Sequence, residues 1–325
     1  MTVAVTGPTG TFGFGLAPLL EAESRIGRVV GIARRPFEPA DHGWTKMVYR
    51  RGDVRDPDAL RQAFGGADAV VHLAFMITGT AASETIREIN MGGTLNAFRA
   101  ARDAGTKRFV YASSVAAYGF HRDNPVGIDE EWPVRPARHL FYAREKAELE
   151  LLLAQEAGRE ERPALYLLRP SIVLGPHAVG GKGIAGGRAG RRVLDLLARS
   201  PVPLPTLAPH VPVQFVHEAD VGQALLKCAL AEGPPGAYNI AADGVLTGAD
   251  VARELGLAAV PVPGPIVHVA ARAAAALPKW GLPPALDWVE ALSHPAIMDT
   301  AKAKDELGWR PAYSSREALR DTLRS

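Results

Sequence analysis

The chain has 325 residues, of which 47% are hydrophobic and 22% charged, a composition typical of a globular protein with an ample core. Its net charge is +2 and it contains no long basic run, so electrostatics gives no case for nucleic-acid binding. A single cysteine, Cys228, excludes an internal disulfide and fits a reducing compartment. We expect no targeting segment and no membrane span, because the late apolar stretch LAAVPVPGPIVHVAARAAAALP is broken by prolines, and we therefore expect a cytoplasmic protein.

The first half of the chain alternates short apolar runs with helical patterns. The runs TVAVT, RVVGIA, DAVVHLAF, KRFVYAS and ALYLLRP are rich in Val, Ile and Leu, as is typical of strands buried on both faces. Helical patterns lie between successive runs. This alternation predicts an α/β fold, a Rossmann-type doubly wound parallel sheet with helices on its faces.

The pattern loosens after about residue 175, where a glycine-rich and then a proline-rich stretch follow. Residues 213–242 predict a return to the sheet, and a mostly helical tail comes after them. We therefore predict a dinucleotide-binding domain at 1–175 and a smaller, mostly helical substrate-binding region at 176–325. Within the second region, we expect residues 177–212 to close over a substrate.

The stretch TGPTGTFG, residues 6–13, places three glycines with the spacing GxxGxxG between the first strand and the first helix. Gly7 permits a tight turn, Gly10 lets the backbone approach a pyrophosphate, and Gly13 lets the helix pack closely on its strand. The helix N-terminus then offers free N–H groups to phosphates. The loop predicts dinucleotide binding, with a plain strand-to-helix turn as the alternative.

The end of the second strand indicates which dinucleotide binds. An acidic residue is expected there for a ribose 2′-hydroxyl, yet the sequence has Ala33 followed by Arg34 and Arg35. Two guanidinium groups suit a 2′-phosphate, although they could also be a solvated surface pair. The sequence therefore favours NADP, with NAD as the other possibility.

Two further strand ends carry candidate cofactor contacts. Asp53 could accept from the adenine amino group while Val54 contacts the ring edge, although Asp53 could equally be a turn residue. The run HLAF ends the next strand and places Leu73, Ala74 and Phe75 at the carboxyl edge of the sheet, beside the cofactor.

Tyr142 and Lys146 are four residues apart in a helical pattern, so their side chains share one face. A phenol is a poor base at neutral pH, and a nearby ammonium would favour the phenolate by about 3–4 kcal/mol at an effective dielectric near 20. Ser114, at a strand end, could hold a substrate oxygen next to the tyrosine. These residues predict acid–base catalysis, with an ordinary amphipathic helix face as the alternative.

The chain resembles the extended short-chain dehydrogenases/reductases, the NAD-dependent epimerase/dehydratase superfamily. The resemblance rests on motifs along nearly the whole chain, among them TGPTGTFG, GDVRD, VVHLA, NMGGTLNAFRAA, FVYASSVAAYG, YAREK and LLRPSIVLGP. It implies that Tyr142 is the acid/base, that Lys146 binds the nicotinamide ribose, and that Ser114 is the catalytic serine. The cofactor contacts it adds are Thr9, Thr11, Phe12, Asn90, Ser113, Pro170 and Ser171.

Asn90 could also be a packing residue of its helix.

The resemblance implies a homodimer built from helices around 83–104 and 140–157, acting on a small-molecule substrate. Two departures bear on that substrate: residues 213–217 lack an arginine that could grip a nucleotide-sugar diphosphate, and Val115 and Ala116 stand where the 4,6-dehydratases have an acidic pair.

Three functions follow from this resemblance. The first is an NAD(P)-dependent dehydrogenase or reductase that passes hydride between the nicotinamide and a carbonyl or alcohol carbon. The second is a sugar or nucleotide-sugar epimerase that retains its cofactor. The third is a non-catalytic NADP sensor, which an intact set of Ser114, Tyr142 and Lys146 disfavours.

Overall fold

The computed structural model describes residues 1–77, 83–138, 140–158, 163–178, 205–262 and 294–324. Its centre is a seven-stranded, fully parallel sheet. The strands are β1 (Thr2–Thr6), β2 (Arg28–Ala33), β3 (Met47–Arg51), β4 (Ala69–His72), β5 (Arg108–Ala112), β6 (Ala164–Pro170) and, later in the chain, β10 (Gly236–Ile240). The order β10-β6-β5-β4-β1-β2-β3 confirms the predicted doubly wound arrangement, with β10 added at one edge.

Helices cover both faces of this sheet. They are α1 (Thr11–Ala22), α2 (Pro57–Phe64), α3 (Ser83–Arg87), α4 (Gly93–Asp103), α5 (Phe141–Ala157) and α6 (Glu218–Ala229). One apolar cluster lies between the sheet and the pair α1 and α6, and includes the buried thiol of Cys228; the other lies between the sheet and α2, α4 and α5. The sheet thus forms the middle layer of three, as strands buried on both faces require.

Helices α1 and α6 cross at glycines. A Cβ at Gly15 would lie 2.1 Å from the carbonyl oxygen of Glu218, and a Cβ at Gly222 would lie 2.1 Å from that of Gly15. This close approach links the N-terminal glycine loop to the later part of the chain.

The single helix expected over residues 83–104 contains a π-helical turn at Glu88–Gly92, between α3 and α4. Asn90 occupies this turn and is fully buried. Such turns interrupt the regular backbone ladder and change the direction of a side chain.

The remaining described elements form smaller units. β7 (Ile172–Leu174) pairs with β9 (Phe215–His217), and β8 (Pro205–Pro209) pairs with β11 (Ala258–Val262), both in parallel. The helices are α7 (Gly248–Glu254), α8 (Ala301–Glu306) and α9 (Ser315–Arg324). The division of the chain near residue 175 stays a prediction, and 179–204, most of the expected substrate-closing segment, lie outside the described residues.

His217 and Asp220 connect α6 to the C-terminal tail. The His217 ring stacks on Tyr313 with centroids 4.0 Å apart, and Asp220 accepts from the backbone N–H groups of Ala312 and Tyr313. Among the described residues, none of the helices has the length and apolar character needed to cross a bilayer.

Candidate active site

The β1–α1 loop has the backbone shape that the glycine spacing predicts. Gly7 has φ +68°, and a Cβ there would come within 2.9 Å of the Ala74 backbone nitrogen. A Cβ at Gly13 would come within 2.1 Å of the Pro8 carbonyl oxygen, so Gly13 lets α1 begin against the loop. Side chains other than glycine would distort the loop at both positions.

Gly10 has a different environment. A Cβ at Gly10 would make only an ordinary contact, 3.5 Å from the Gly7 carbonyl oxygen, and Gly10 is exposed. As the N-cap of α1 it has no side chain to accept from the first N–H groups of the helix, which therefore remain for another acceptor. The open approach over Gly10 and the uncapped helix start fit a pyrophosphate bound through Thr9, Thr11 and Phe12 backbone. The Thr11 hydroxyl donates instead to the carbonyl of His177.

The ends of β2 and β3 present an exposed basic surface. Arg34 and Arg35 are both exposed, and Arg34 Nη2 contacts the sulfur of Met76 at 3.4 Å. Asp53 accepts from Nε and Nη2 of Arg55, which holds the pKa of Asp53 below its usual range. Val54 is buried next to Gly93. A 2′-phosphate would find guanidinium groups here, while the Asp53 carboxylate is shared with Arg55.

The end of β4 is bound to the glycine loop through one hydroxyl. Thr6 Oγ1 accepts from the backbone N–H groups of Leu73 and Ala74, both at 3.2 Å, and lies 2.8 Å from His72 Nδ1. The other His72 nitrogen lies 3.0 Å from Thr94 Oγ1. His72 is therefore a buried structural residue that fixes Leu73 and Ala74 at the carboxyl edge of the sheet.

The three predicted catalytic residues meet beyond the end of β5. Ser114 caps a short 3₁₀ turn, Val115–Ala117, by accepting from Ala116 N at 3.1 Å, and its hydroxyl also hydrogen-bonds the Tyr142 phenol. Lys146 Nζ lies 5.8 Å from the centroid of the Tyr142 ring. Tyr142 and Lys146 thus share one face of α5, directed toward the serine.

The amine of Lys146 is enclosed. It donates to the Ala112 carbonyl oxygen at 2.6 Å, and it lies 3.7 Å from the Phe75 ring centroid and 4.7 Å from that of Tyr111. The residue is only 3% exposed. Phe75 also packs edge-on against Tyr142, with centroids 5.6 Å apart. Phe75 therefore packs against both of the side chains predicted to be catalytic.

The protonation states differ from the sequence prediction. Burial raises the pKa of Tyr142 above its usual value, against a lowering hydrogen bond from Ser114, whereas burial lowers the pKa of Lys146 to about 7. The expectation that Lys146 lowers the tyrosine pKa is therefore wrong for this arrangement, because the enclosed amine is itself disfavoured as a cation. Near neutral pH, the Tyr142 phenol is therefore protonated.

Two predicted cofactor contacts direct their polar atoms into the protein instead. Asn90 accepts from Met76 N at 2.7 Å and donates to Met76 O and to the Glu145 carboxylate. The Ser113 hydroxyl donates to the carboxylate of Glu150. Both residues are buried, so any effect they have on a cofactor is indirect: Asn90 fixes the backbone next to Phe75, and Ser113 fixes the end of β5.

The end of β6 supplies a further wall of the site. Pro170 ends the strand, and Ser171 is buried with its backbone N–H donated to Ile240 O. Within the described ranges, the Ser171 hydroxyl has no hydrogen-bond partner. A buried polar atom without a partner is costly, so an acceptor or donor of a bound molecule fits this position.

Sequence reasoning missed Glu145, Glu150 and Arg169. All three are buried, and each lies within one turn or one residue of a residue that was predicted. A charged residue on a helix face or strand normally indicates a solvated side, which is why the pattern gave no warning. One signal was available for Arg169: the run LLRP, which contains it, belongs to a strand predicted to be buried on both faces.

The geometry combines a glycine-loop dinucleotide cleft with Ser114, Tyr142 and Lys146 at one sheet edge. The model of the NAD dependent epimerase/dehydratase family matches residues 3–241, which contain all of these groups. The chain belongs to this family. The family resemblance inferred from the sequence motifs is thus confirmed.

The proteins that are similar to this chain are of several kinds. Uncharacterized protein y4nG of Sinorhizobium fredii is 28% identical over 330 residues, covering 99% of this chain and 77% of its own length. N-acetyl-alpha-D-glucosaminyl-diphospho-ditrans,octacis-undecaprenol 4-epimerase of Escherichia coli O157:H7 is 35% identical over 143 residues, 42% of each chain. The structure of Thermus thermophilus UDP-glucose 4-epimerase in complex with NAD superposes with a TM-score of 0.69 and 24% identity, covering 100% and 98% of the two chains, which shows the shared fold.

Proposed function

We propose that the protein is an NAD(P)-dependent oxidoreductase that interconverts a carbonyl and an alcohol carbon in a small-molecule substrate. The observation that carries this proposal is the hydrogen-bonded pair Ser114 and Tyr142 next to Lys146, at the carboxyl edge of a sheet that begins with a glycine loop. When bound, the nicotinamide supplies or accepts the hydride. Gly7, Gly10 and Gly13 would hold the pyrophosphate, and Lys146 and Ser171 the nicotinamide end.

In this proposal the proton moves at the Tyr142 hydroxyl. The Ser114 and Tyr142 hydroxyls already hydrogen-bond each other, so a substrate oxygen placed between them would receive hydrogen bonds from both. Because burial raises the tyrosine pKa, the phenol is protonated near neutral pH and suits protonation of a carbonyl oxygen as it is reduced. Reduction is therefore the direction that this protonation state favours.

The form of the cofactor is a second part of the proposal. NAD is named for the family and is bound in the solved Thermus epimerase. In this chain, the exposed Arg34 and Arg35 at the end of β2 would in addition accept a 2′-phosphate. We propose that the protein accepts both dinucleotides and binds NADP more tightly.

An epimerase is the second candidate function. It is favoured by the family and by the 35% identity to an undecaprenol-linked N-acetylglucosamine 4-epimerase, although that match covers 42% of the chain. The same Tyr142 and Ser114 would then serve an oxidation followed by a reduction on the opposite face. Val213–His217 contains no arginine, so one group that would hold a sugar diphosphate is missing from this segment.

A cofactor-supplemented screen separates the two. The protein is incubated with NADH, NADPH and their oxidised forms, together with panels of ketones, alcohols and sugar nucleotides, and nicotinamide absorbance is followed. A net change with one panel supports the oxidoreductase. Conversion of a sugar nucleotide to its epimer, with no net absorbance change and with dinucleotide released on denaturation, supports the epimerase. Cofactor binding with no conversion of any panel contradicts both and favours a sensor.

The homodimer expected through the helices around 83–104 and 140–157 stays a prediction. In the structure these segments are α3, the π-helical turn, α4 and α5, and Leu151 on α5 is exposed. Sedimentation of the purified protein at two concentrations would test it.

A further inference from the structure

One buried carboxylate connects the three elements that carry the proposed reacting groups. Glu150 lies one helical turn after Lys146 on α5. It accepts from the Ser113 hydroxyl at the end of β5, and from Nε and Nη2 of Arg169 on β6, the latter at 2.7 Å. The helix of Lys146 is thereby bound to the strand ends next to Ser114 and Pro170.

The cluster is enclosed and its partners are themselves held. Glu150 and Arg169 are 4% and 5% exposed. The Nη1 atom of Arg169 does not bond Glu150; it donates to the Tyr118 hydroxyl at 2.7 Å and to the Glu130 carbonyl oxygen at 3.2 Å. Both carboxylate oxygens and all three guanidinium nitrogens therefore have partners, so the carboxylate is fixed in one position.

Stability does not account for this arrangement. Replacing a buried ion pair by apolar side chains of similar size is commonly neutral or stabilising, because both charges lose their hydration. What the arrangement does provide is a carboxylate held in one position on the same helix face as Lys146, one turn away.

The charges around Lys146 decide what that negative charge does. Burial lowers the pKa of Lys146 to about 7, and Glu150 and then Glu145 oppose this by raising it. The pKa of His72 is lowered to about 3 and that of Tyr111 is raised well above its usual value, both mainly by burial, so these two stay neutral near pH 7. The titratable and charged groups facing the amine or its carboxylates are Tyr142, Glu145 and Glu150 on α5, His72 on β4, Tyr111 on β5, Arg169 on β6 and Arg87 on α3.

We propose that Glu150 is a positioning residue for the reaction: anchored by Ser113 and Arg169, it holds the turn of α5 that carries Lys146 against β5 and supplies the negative charge that keeps the Lys146 amine cationic. The consequence for turnover rests on the proposed function, since a charged amine binds the oxygens of a ribose or a phenolate more strongly than a neutral amine does. The effect of Glu150 on the charge of the Lys146 amine does not depend on that function.

The first test therefore needs no substrate. Lysine labelled at Cε is incorporated into the full chain, the Lys146 signal is assigned with Lys146→Met, and its chemical shift is followed against pH. Glu150→Gln is expected to lower the titration midpoint by about 1 unit, since an adjacent opposite charge shifts a pKa by that order. Glu148→Gln, which removes an exposed carboxylate of the same helix that bonds Arg87, is the matched control and leaves the midpoint unchanged. An unchanged midpoint in Glu150→Gln overturns the proposal.

The second test uses the affinity for NADH and NADPH against pH, and kcat/KM where a substrate is known. In Glu150→Gln, affinity is expected to fall at a lower pH than in the unchanged protein, because the amine loses its proton sooner. A residue with a merely structural role would reduce affinity at every pH without moving the midpoint, and this result also overturns the proposal. If the unchanged protein binds neither dinucleotide, the proposed function fails while the titration still decides the role of Glu150.

Glu150→Gln leaves Arg169 buried without its anion and could fail to fold. The double variant Glu150→Leu with Arg169→Met removes both charges and is the second route. Because the charge of Glu150 acts on the Lys146 amine and Arg169 is not among the groups that do, we still expect a downward shift of the Lys146 midpoint. An upward or absent shift contradicts the proposal.

Discussion

The glycine loop and helix α5 lie at the same edge of the sheet, but they are specified in different ways. The loop depends on backbone shape: Gly7 has φ +68°, and a Cβ at Gly13 would clash with Pro8. At α5, the spacing of Tyr142 and Lys146 along the helix determines where their side chains lie. Their protonation states are determined by burial under other elements. A motif therefore fixes where groups stand, and the packing around it fixes what they can do.

Two alanine substitutions within the loop should behave oppositely, one in stability and the other in binding. Gly13→Ala places a Cβ 2.1 Å from the Pro8 carbonyl oxygen and should destabilise the fold by about 1–3 kcal/mol or more. Gly10→Ala meets nothing closer than 3.5 Å, so the protein should melt normally while binding NADH at least about tenfold more weakly, a loss of about 1.4 kcal/mol. Thermal unfolding and NADH titration measure both.

Each glycine variant serves as the control for the other. If Gly10→Ala bound the dinucleotide normally, the backbone over Gly10 would not be where the pyrophosphate lies. A normal melting temperature for Gly13→Ala would contradict the close approach of α1 and the loop.

At α5, Lys146→Met should stabilise the fold while removing turnover. The pKa of Lys146 is about 7 in the folded protein, against an ordinary value of 10.5. Below pH 7 the buried amine is charged, and its burial then lowers the free energy of unfolding by the full amount. This cost decreases as the pH rises from 7 toward 10.5. Replacing the amine should therefore raise the free energy of unfolding by about 1–4 kcal/mol at acidic to neutral pH, and by less at alkaline pH.

Urea unfolding of both proteins at two pH values checks this gain. Lys107→Met, at an exposed lysine paired with Asp68, is the control and should show no such pH-dependent gain. A Lys146→Met protein less stable than the unchanged one at neutral pH would mean that the amine is not disfavoured by its surroundings.

The most selective expected effect concerns the basic end of β2, where only one of the two dinucleotides should be affected. Arg34→Ala with Arg35→Ala should weaken NADPH binding by about 1.5–3 kcal/mol, the value of hydrogen bonds to a charged group, and leave NADH binding nearly unchanged. Arg61→Ala, an exposed arginine on α2 paired with Asp58, is the control. Equal losses for the two dinucleotides would show that these side chains do not contact a 2′-phosphate.

The parallel sheet and its strand order could be predicted because each buried strand reads as a continuous apolar run. The π-helical turn at Glu88–Gly92 could not, since its Asn90 pairs with the backbone of Met76, a partner 14 residues earlier. Local propensity carries no information about such a contact.

The candidate site shows the same limit. Spacing predicted that Tyr142 and Lys146 share a helix face, and Ser114 does contact the phenol. The sequence could not show that Phe75 covers the amine at 3.7 Å or that Ser113 turns inward to Glu150, because both contacts join elements distant along the chain. Nor could it show how deeply Tyr142 is buried, and that burial raises the pKa of the phenol instead of lowering it.

The most direct measurement of the central claim is a paired determination on Tyr142→Phe of turnover with an identified substrate and of affinity for the dinucleotide. The variant keeps the ring that packs against Phe75 and loses only the hydroxyl bonded to Ser114. We expect turnover to fall by about 10²–10⁴-fold while dinucleotide affinity stays the same. Turnover within a few-fold of the unchanged protein would contradict it and would require another proton donor.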